Sequence, residues 1–288
     1  MFYYSKSRLT VEKIPESPEV KYTAEVLDFY LCNTDLLQVN VIGGKFIKAP
    51  PVNVPQVRLT FTGVRCKGKM LIFDFKNTAL KMFAGLGMTG QFVFERDAHS
   101  ALEFVLEAPP PFPKAMYFTD MRRFGNVSFS TEDQSSKLAP SILSCGEMKE
   151  IQQEDFIKRA KTLQKRTSRD IIGVLMDQQE KTGVCSGIGN YLIAEILYHS
   201  RINPFRPFNS LNEDELTRIH YHSLLIASES FSKQGMTVSD FVSPMGETGQ
   251  YRQFLHVYSR KKTPDGDTVV ADKGSHGRTI WWVPKKQV

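Results

Sequence analysis

Between Val20 and Leu31 the apolar residues of VKYTAEVLDFYL recur at three- and four-residue spacing, which predicts an amphipathic helix, and Pro18 just upstream suits its start. The pattern then changes. From Leu36 to about Phe129 the chain is written in short runs, LLQVNVI, QVRLTF, KMLIFDF, LEFVL and VSFS, parted by Gly, Pro and Asn, as in a strand-rich sandwich. The proline-rich run from Ala108 to Lys114 reads as a loop. From about Pro140 helical spacing returns in FIKRAKTLQKR, DIIGVLMDQQEK, NYLIAEILYHS and LNEDELTRIHYHSLLIASESFSKQ. The last stretch, with HVYSR and RTIWWVP flanking a polar, Gly- and Asp-rich connection, predicts a β-hairpin. The expected class is α+β with two domains: a helix plus an antiparallel β-sandwich, then a helical domain ending in a hairpin. The expected boundaries are an extension over residues 1–14, a sandwich domain over 15–139, a helical domain over 140–255 and the hairpin over 256–288.

Composition narrows the partners. A chain of 288 residues with 41% hydrophobic content is long for one core, and no apolar run is long enough to span a bilayer. The formal charge of +6 favours a polyanionic partner, although basicity alone carries little weight. Cys32, Cys66, Cys145 and Cys185 are far apart and form no CxxC pair, which argues against both a zinc site and a secreted disulfide framework. The opening MFYYSKSRLTVEKI has no apolar stretch of the secretory kind, so a reduced, intracellular protein is expected.

The most specific local signal is GVCSGIGNYLIAEIL. Gly183, Gly187 and Gly189 permit tight turns between two helices, and Asn190 opens the second. Backbone N–H groups at such a helix start are ready donors to a phosphate, with Asn190 adding a side-chain contact. Taken alone, the same segment is also an ordinary structural helix–turn–helix.

The longer stretch GIGNYLIAEILYHSRINPFRP resembles the helix–two-turn–helix signature of the formamidopyrimidine-DNA glycosylase/endonuclease VIII family. Further landmarks follow in that family's order. Pro15 to Val20 resembles its catalytic N-terminus, and Lys67-Gly68-Lys69 before an apolar run resembles its lysine-bearing strand. Gly85 to Gly90 resembles the loop with a void-filling methionine, Asp120 to Gly125 the loop with an intercalating arginine and phenylalanine, and His256 to Gln287 the C-terminal finger.

The resemblance implies a DNA repair glycosylase that extrudes an oxidised base from duplex DNA. Met88, Arg122 and Phe124 would then fill the vacated space: a flexible thioether, a multi-donor guanidinium and an aromatic wedge. Without it, Met88 and Phe124 read as core residues and Arg122 as a surface charge. Lys69 and Arg278 would grip the phosphates flanking the everted nucleotide and assist elimination, and His99 would touch DNA; surface charges are the plain alternative. Many family members hold the finger with four cysteines on zinc, but this finger has none, so no metal and no cofactor are expected. Val257, Tyr258, Ile280, Trp281, Trp282 and Val283 are expected to staple it by packing instead, as in zincless relatives.

The resemblance makes Pro15 the nucleophile, through a free secondary amine, and Glu16 the acid/base beside it. An α-amino group titrates near about 7.7–8.0, so a neutral fraction is available at physiological pH. In this sequence Ile14 precedes Pro15, and a nitrogen acylated by Ile14 is an amide that cannot attack. A later start, proteolytic exposure of Pro15, or loss of the lyase step all accommodate this. The leading expectation is a monomeric, bifunctional glycosylase/lyase acting on double-stranded DNA with oxidised bases or abasic sites. A non-catalytic damaged-DNA binder and an RNA- or structure-binding protein are the alternatives. Asp240 to Tyr258 has the length of a lesion-capping loop of formamidopyrimidine-type members, whereas HGRTIWW is closer to endonuclease VIII-like relatives, so the sequence leaves purine and pyrimidine lesions open.

Overall fold

The first helix starts three residues before the predicted one. In the computed structural model, which describes residues 15–236, 243–274 and 277–288, α1 spans Ser17–Leu31. Pro18 sits inside its first turn, where a missing N–H leaves no bond unmade. Glu16 thereby becomes the N-cap residue, and its own N–H donates to the Glu19 carboxylate at 2.8 Å. Val20, Ala24, Leu27 and Leu31 form the fully buried stripe that the spacing foretold. Asp28 ties this helix to the sheet by accepting the Val64 N–H at 2.7 Å.

The strands are β1 (Asp35–Val41), β2 (Leu59–Lys67), β3 (Met70–Phe75), β4 (Lys81–Gly85), β5 (Gly90–Val93), β6 (Ser100–Glu107), β7 (Ala115–Asp120) and β8 (Asn126–Ser130). All pairings are antiparallel, in the order β5-β7-β6-β1-β2-β3-β4-β8. β2 joins the two halves: Leu59 and Thr60 pair with β1, while Phe61 to Lys67 pair with β3. The ribbon is folded over, since Phe73 of β3 meets Phe92 of the far edge strand β5 at 5.3 Å between ring centroids. Phe92 also meets Phe118 at 5.1 Å and Phe104 at 6.0 Å, so aromatic rings fill the space between the layers. β4, β5 and β7 carry no clear sequence alternation: Met82, Phe83 and Ala84 are buried in succession, and β5 is four residues long. The Ala108–Lys114 loop lies between β6 and β7 as expected.

The helical part comprises α2 (Gln153–Gln164), α3 (Ile171–Leu175), α4 (Asn190–Ser200) and α5 (Glu213–Ser232). α3 is far shorter than the predicted DIIGVLMDQQEK helix. Asp170 caps it by accepting the Gly173 N–H at 2.7 Å, and beyond Met176 the Gln178 side chain claims the backbone. Its amide donates to the carbonyls of Met176 (2.8 Å) and Ile188 (3.1 Å) and accepts the Gly187 N–H at 2.6 Å. That knot forms the glycine turn, and Gly187 sits at φ 112°, open to a residue without Cβ. Every residue of α4 except His199 is buried, so this helix is the centre of its domain.

The C-terminal hairpin also differs from expectation. Its arms are β9 (Val270–Lys273) and β10 (Thr279–Trp282), and HVYSR is not a strand. The reason is Glu195 of α4, whose carboxylate accepts the N–H groups of His256, Val257 and Tyr258 at 2.8, 2.9 and 2.8 Å. Those donors are unavailable to a ladder. The expected apolar staple is present: Val257, Tyr258, Ile280, Trp281 and Val283 are buried, Tyr258 meets Trp281 edge-on at 4.6 Å, and Trp282 meets Phe205 at 5.4 Å. Among the described residues no helix is long and apolar enough to cross a membrane. The predicted extension over 1–14, Asp240 of the capping loop and His276 of HGRTIWW lie outside the described residues.

Candidate active site

Glu16 is the joint between the two lobes. It is 2% exposed, and its carboxylate accepts the N–H groups of Gly189 (2.8 Å), Tyr191 (2.9 Å) and Leu192 (3.2 Å) at the start of α4. A Cβ on residue 189 would lie 2.3 Å from the Glu16 carboxyl carbon, so a glycine there is what lets the carboxylate reach the helix end. This corrects one sequence expectation. The donors at the α4 N-terminus do not face outward toward a phosphate; they are taken by Glu16.

Burial pushes the Glu16 carboxyl up to about 7; Lys69 opposes that, Glu19 adds to it, and the N–H groups of Tyr191 and Leu192 pull it down. Beneath it lies Glu19, fully enclosed and also raised by burial, accepting the N–H of Met236 at 2.6 Å and the Tyr191 hydroxyl at 3.0 Å. Glu19 and Tyr191 escaped the sequence reading of the site. The Glu16-x-x-Glu19 spacing, which is that of a capping box, was the available signal for the first; nothing local marked the second.

Lys69 stands at the tip of the β2–β3 hairpin, half-buried. That tip docks on the glycine turn: the Gly68 N–H donates to the Ser141 hydroxyl at 3.2 Å, and a Cβ on Gly68 would strike Ser186. Burial lowers the Lys69 ammonium, the Glu16 carboxylate raises it, and the Arg278 guanidinium lowers it further. Arg278 arrives from the finger, one residue before β10, where its carbonyl accepts the Gly274 N–H at 2.8 Å. Asn190 fixes that strand by donating to the Thr279 carbonyl at 3.2 Å, while its own Oδ1 is enclosed without a partner. Pro15, buried beside Glu16, completes the group. The fold thus brings the start of α1, the β2–β3 tip and the α4 start around the Glu16 carboxyl, with Arg278 of the C-terminal hairpin within electrostatic reach of Lys69.

Met88, Arg122 and Phe124 form a second group on two facing loops. Asp120 holds both, accepting the Thr89 hydroxyl at 2.6 Å and the Gly125 N–H at 2.7 Å. The Thr89 hydroxyl in turn accepts the Arg122 N–H at 2.8 Å. Phe124 is 60% exposed, with the Arg122 guanidinium 5.7 Å from its ring centroid, so it is not a core residue. Met88 is half-buried. His99 is exposed at the β6 entrance, its carbonyl accepting the Asp120 N–H at 3.2 Å, which sets it on the flank of the same loop. Asp120, the anchor of this group, was quoted in the sequence motif without a role; its burial is what shows one.

Comparison with known proteins matches this architecture along its length. Residues 14–127 match the formamidopyrimidine-DNA glycosylase N-terminal domain, and residues 148–242 match the formamidopyrimidine-DNA glycosylase H2TH domain. The chain is 30% identical over 265 residues to the formamidopyrimidine-DNA glycosylase of Listeria monocytogenes, covering 87% of this chain and 90% of that one. With the Pelotomaculum thermopropionicum protein of the same name it shares 28% identity over 287 residues, covering 95% and 99%. The crystal structure of MutM (Fpg) from Thermus thermophilus superposes with a TM-score of 0.81 at 27% identity, covering 95% of this chain and 98% of that one. A Lactococcus lactis Fpg variant in complex with Fapy-dG-containing DNA shares the fold at 20% identity, with a TM-score of 0.77 and coverage of 95% and 99%. The chain is therefore a member of the formamidopyrimidine-DNA glycosylase family.

Proposed function

We propose that this chain is a bifunctional DNA glycosylase/AP lyase of base excision repair. It removes oxidised bases (8-oxoguanine, formamidopyrimidines, oxidised pyrimidines) from double-stranded DNA and cuts the strand by β- and δ-elimination. The observation that carries the reading is Glu16: a carboxyl raised to about 7, enclosed beside Pro15 and within electrostatic reach of Lys69. An acid with that value exchanges its proton near neutral pH, as general acid/base chemistry requires.

In a chain that begins at Pro15, the secondary amine attacks the sugar C1′. The bond from C1′ to the base breaks with its electron pair leaving on the base, which takes up the proton that the attacking amine gives up; the C1′–O4′ bond then breaks, O4′ takes the Glu16 proton, and the nitrogen lone pair forms the C1′ iminium. The iminium acidifies the C2′ proton, which the Glu16 carboxylate accepts as the 3′ phosphate departs with the C3′–O electron pair. Lys69 and Arg278 hold the phosphates flanking the everted nucleotide. Met88, Arg122 and Phe124 occupy the vacated stack, and His99 extends that contact. Asn190 at the start of α4 contacts the DNA backbone, and its bond to the Thr279 carbonyl keeps β10 beside that contact. The work divides among a catalytic lobe over 15–139, a clamp over 140–255 and the finger over 256–288, in a single chain acting on DNA inside the cell.

Protein beginning at Pro15, mixed with an 8-oxoguanine duplex and borohydride, is expected to release the base and yield a covalent adduct on the Pro15 peptide. Base release with no trappable adduct refutes the imine step. Neither release nor adduct, with tight binding to abasic duplex, establishes the second reading, a damaged-DNA binder. Its support is Ile14, which makes the Pro15 nitrogen an amide in the full sequence.

A further inference from the structure

We propose that Glu195, His199 and His256 form a binding site for one divalent transition-metal ion at the junction between α4 and the finger. Glu195 and His199 are four residues apart on α4 and therefore share a helix face. His256 opens the finger segment directly against them. One ligand atom from each of the three lies within 4.8 Å of the others. His199 Nε2 and His256 Nδ1 are 3.3 Å apart, and His256 Nδ1 is 3.6 Å from Glu195 Oε2. Ligands at about 2.0–2.1 Å in tetrahedral array around one ion are spaced by roughly 3.3–3.4 Å.

The donor set is preorganised. The Glu195 carboxylate is fixed by three backbone N–H groups, only one of which, that of His256, uses Oε2, so this oxygen retains lone-pair capacity. His256 stacks on Tyr198 at 5.8 Å between centroids and is 36% exposed, which gives an ion a path from solvent. His222 lies beside the group, its ring centroid 5.6 Å from that of His199 and its Nδ1 enclosed without a hydrogen-bond partner. Two imidazoles and a carboxylate select Zn2+, Co2+, Ni2+ or Cu2+ over Mg2+ or Ca2+, which prefer all-oxygen sites. This site is separate from the cysteine positions that a zinc finger requires and that the sequence lacks. An ion here joins the helix whose first turn holds Glu16 to the segment that carries Arg278.

The test uses the untagged full chain, stripped with EDTA and titrated with Co2+. The expected result is one equivalent bound with the visible bands of four-coordinate Co2+, and a higher thermal midpoint that chelation reverses. His199→Asn and His256→Asn are each expected to weaken Co2+ binding by about 100-fold or more while leaving the near-ultraviolet circular dichroism of the stripped protein unchanged. Neither imidazole caps backbone, so both variants fold. If either variant nevertheless misfolds, the wild-type spectrum decides: only six-coordinate, weakly absorbing Co2+ overturns the proposal. No stoichiometric uptake by the wild type, or uptake retained in both variants, overturns it equally.

Discussion

Glu16 is pulled toward both of its protonation states. Enclosure and the neighbouring Glu19 favour the neutral acid, whereas Lys69 and the N–H groups of α4 favour the carboxylate, and the balance falls at about 7. Because the folded value lies above the ordinary 4.5, the proton-bound form is favoured by folding. The stability it contributes is fully present below about pH 4.5 and is lost as pH rises through about 7. Urea unfolding across that window is expected to show a steeper decline in the native chain than in Glu16→Gln, which keeps only the contribution of the raised Glu19. Single-turnover imine formation, which consumes the Glu16 proton, is expected to fall along a limb centred near pH 7 when trapped with borohydride. At fixed pH, Glu16→Gln is expected to cut imine formation by about 10²–10⁴-fold. Binding to a duplex whose base is already missing is expected to survive, since binding transfers no proton; equal loss of both would assign Glu16 to structure alone.

At the scale of elements, the short loops carry more than the strands they join. Asp120 holds two of them, and Asp120→Ala leaves the Thr89 hydroxyl and the Gly125 N–H without their acceptor. Urea melts are expected to register a loss of about 1–3 kcal/mol, accompanied by a lower ratio of lesion to intact duplex affinity. Phe124→Ala separates the two effects. A ring that is 60% exposed contributes little to folding, so stability is expected to stay within about 0.5 kcal/mol while extrusion of the lesion slows. A fluorescent base analogue next to the lesion reads that step directly. Helix and strand types were legible here because residues such as Val20, Ala24, Leu27 and Leu31 repeat on one face. The α3 segment was not, because its end is set by Gln178, whose side chain reaches across a turn that periodicity does not encode.

For the whole molecule, the decisive contacts are those between lobes. Glu195 binds the finger entrance to α4 through three backbone N–H groups, as Glu16 binds α1 to the same helix. In chelator-treated protein, Glu195→Ala is expected to cost about 3 kcal/mol or more in urea unfolding, because those donors are left enclosed and unpaired. A cost well below that, with unchanged protease resistance of the finger, would show that the apolar staple alone holds it.

The sequence alone determined the order of element types, the sandwich-then-helices plan, the absence of cysteines from the C-terminal hairpin and which residue types were available for chemistry. Spacing encodes which face of a local element is buried, and residue type encodes which chemistry is available. Only the tertiary structure decided where the donors go. Glu16 and Tyr191 are 175 residues apart, and only the docking of the residue that caps α1 onto the start of α4 turns that helix start into the seat of a shared carboxyl. HVYSR reads as a strand by composition, yet Glu195, 61 residues earlier than His256, withdraws its N–H groups from any ladder. Hydrogen bonds between distant residues leave no period in the chain, because they are fixed by how the elements dock and not by the elements themselves.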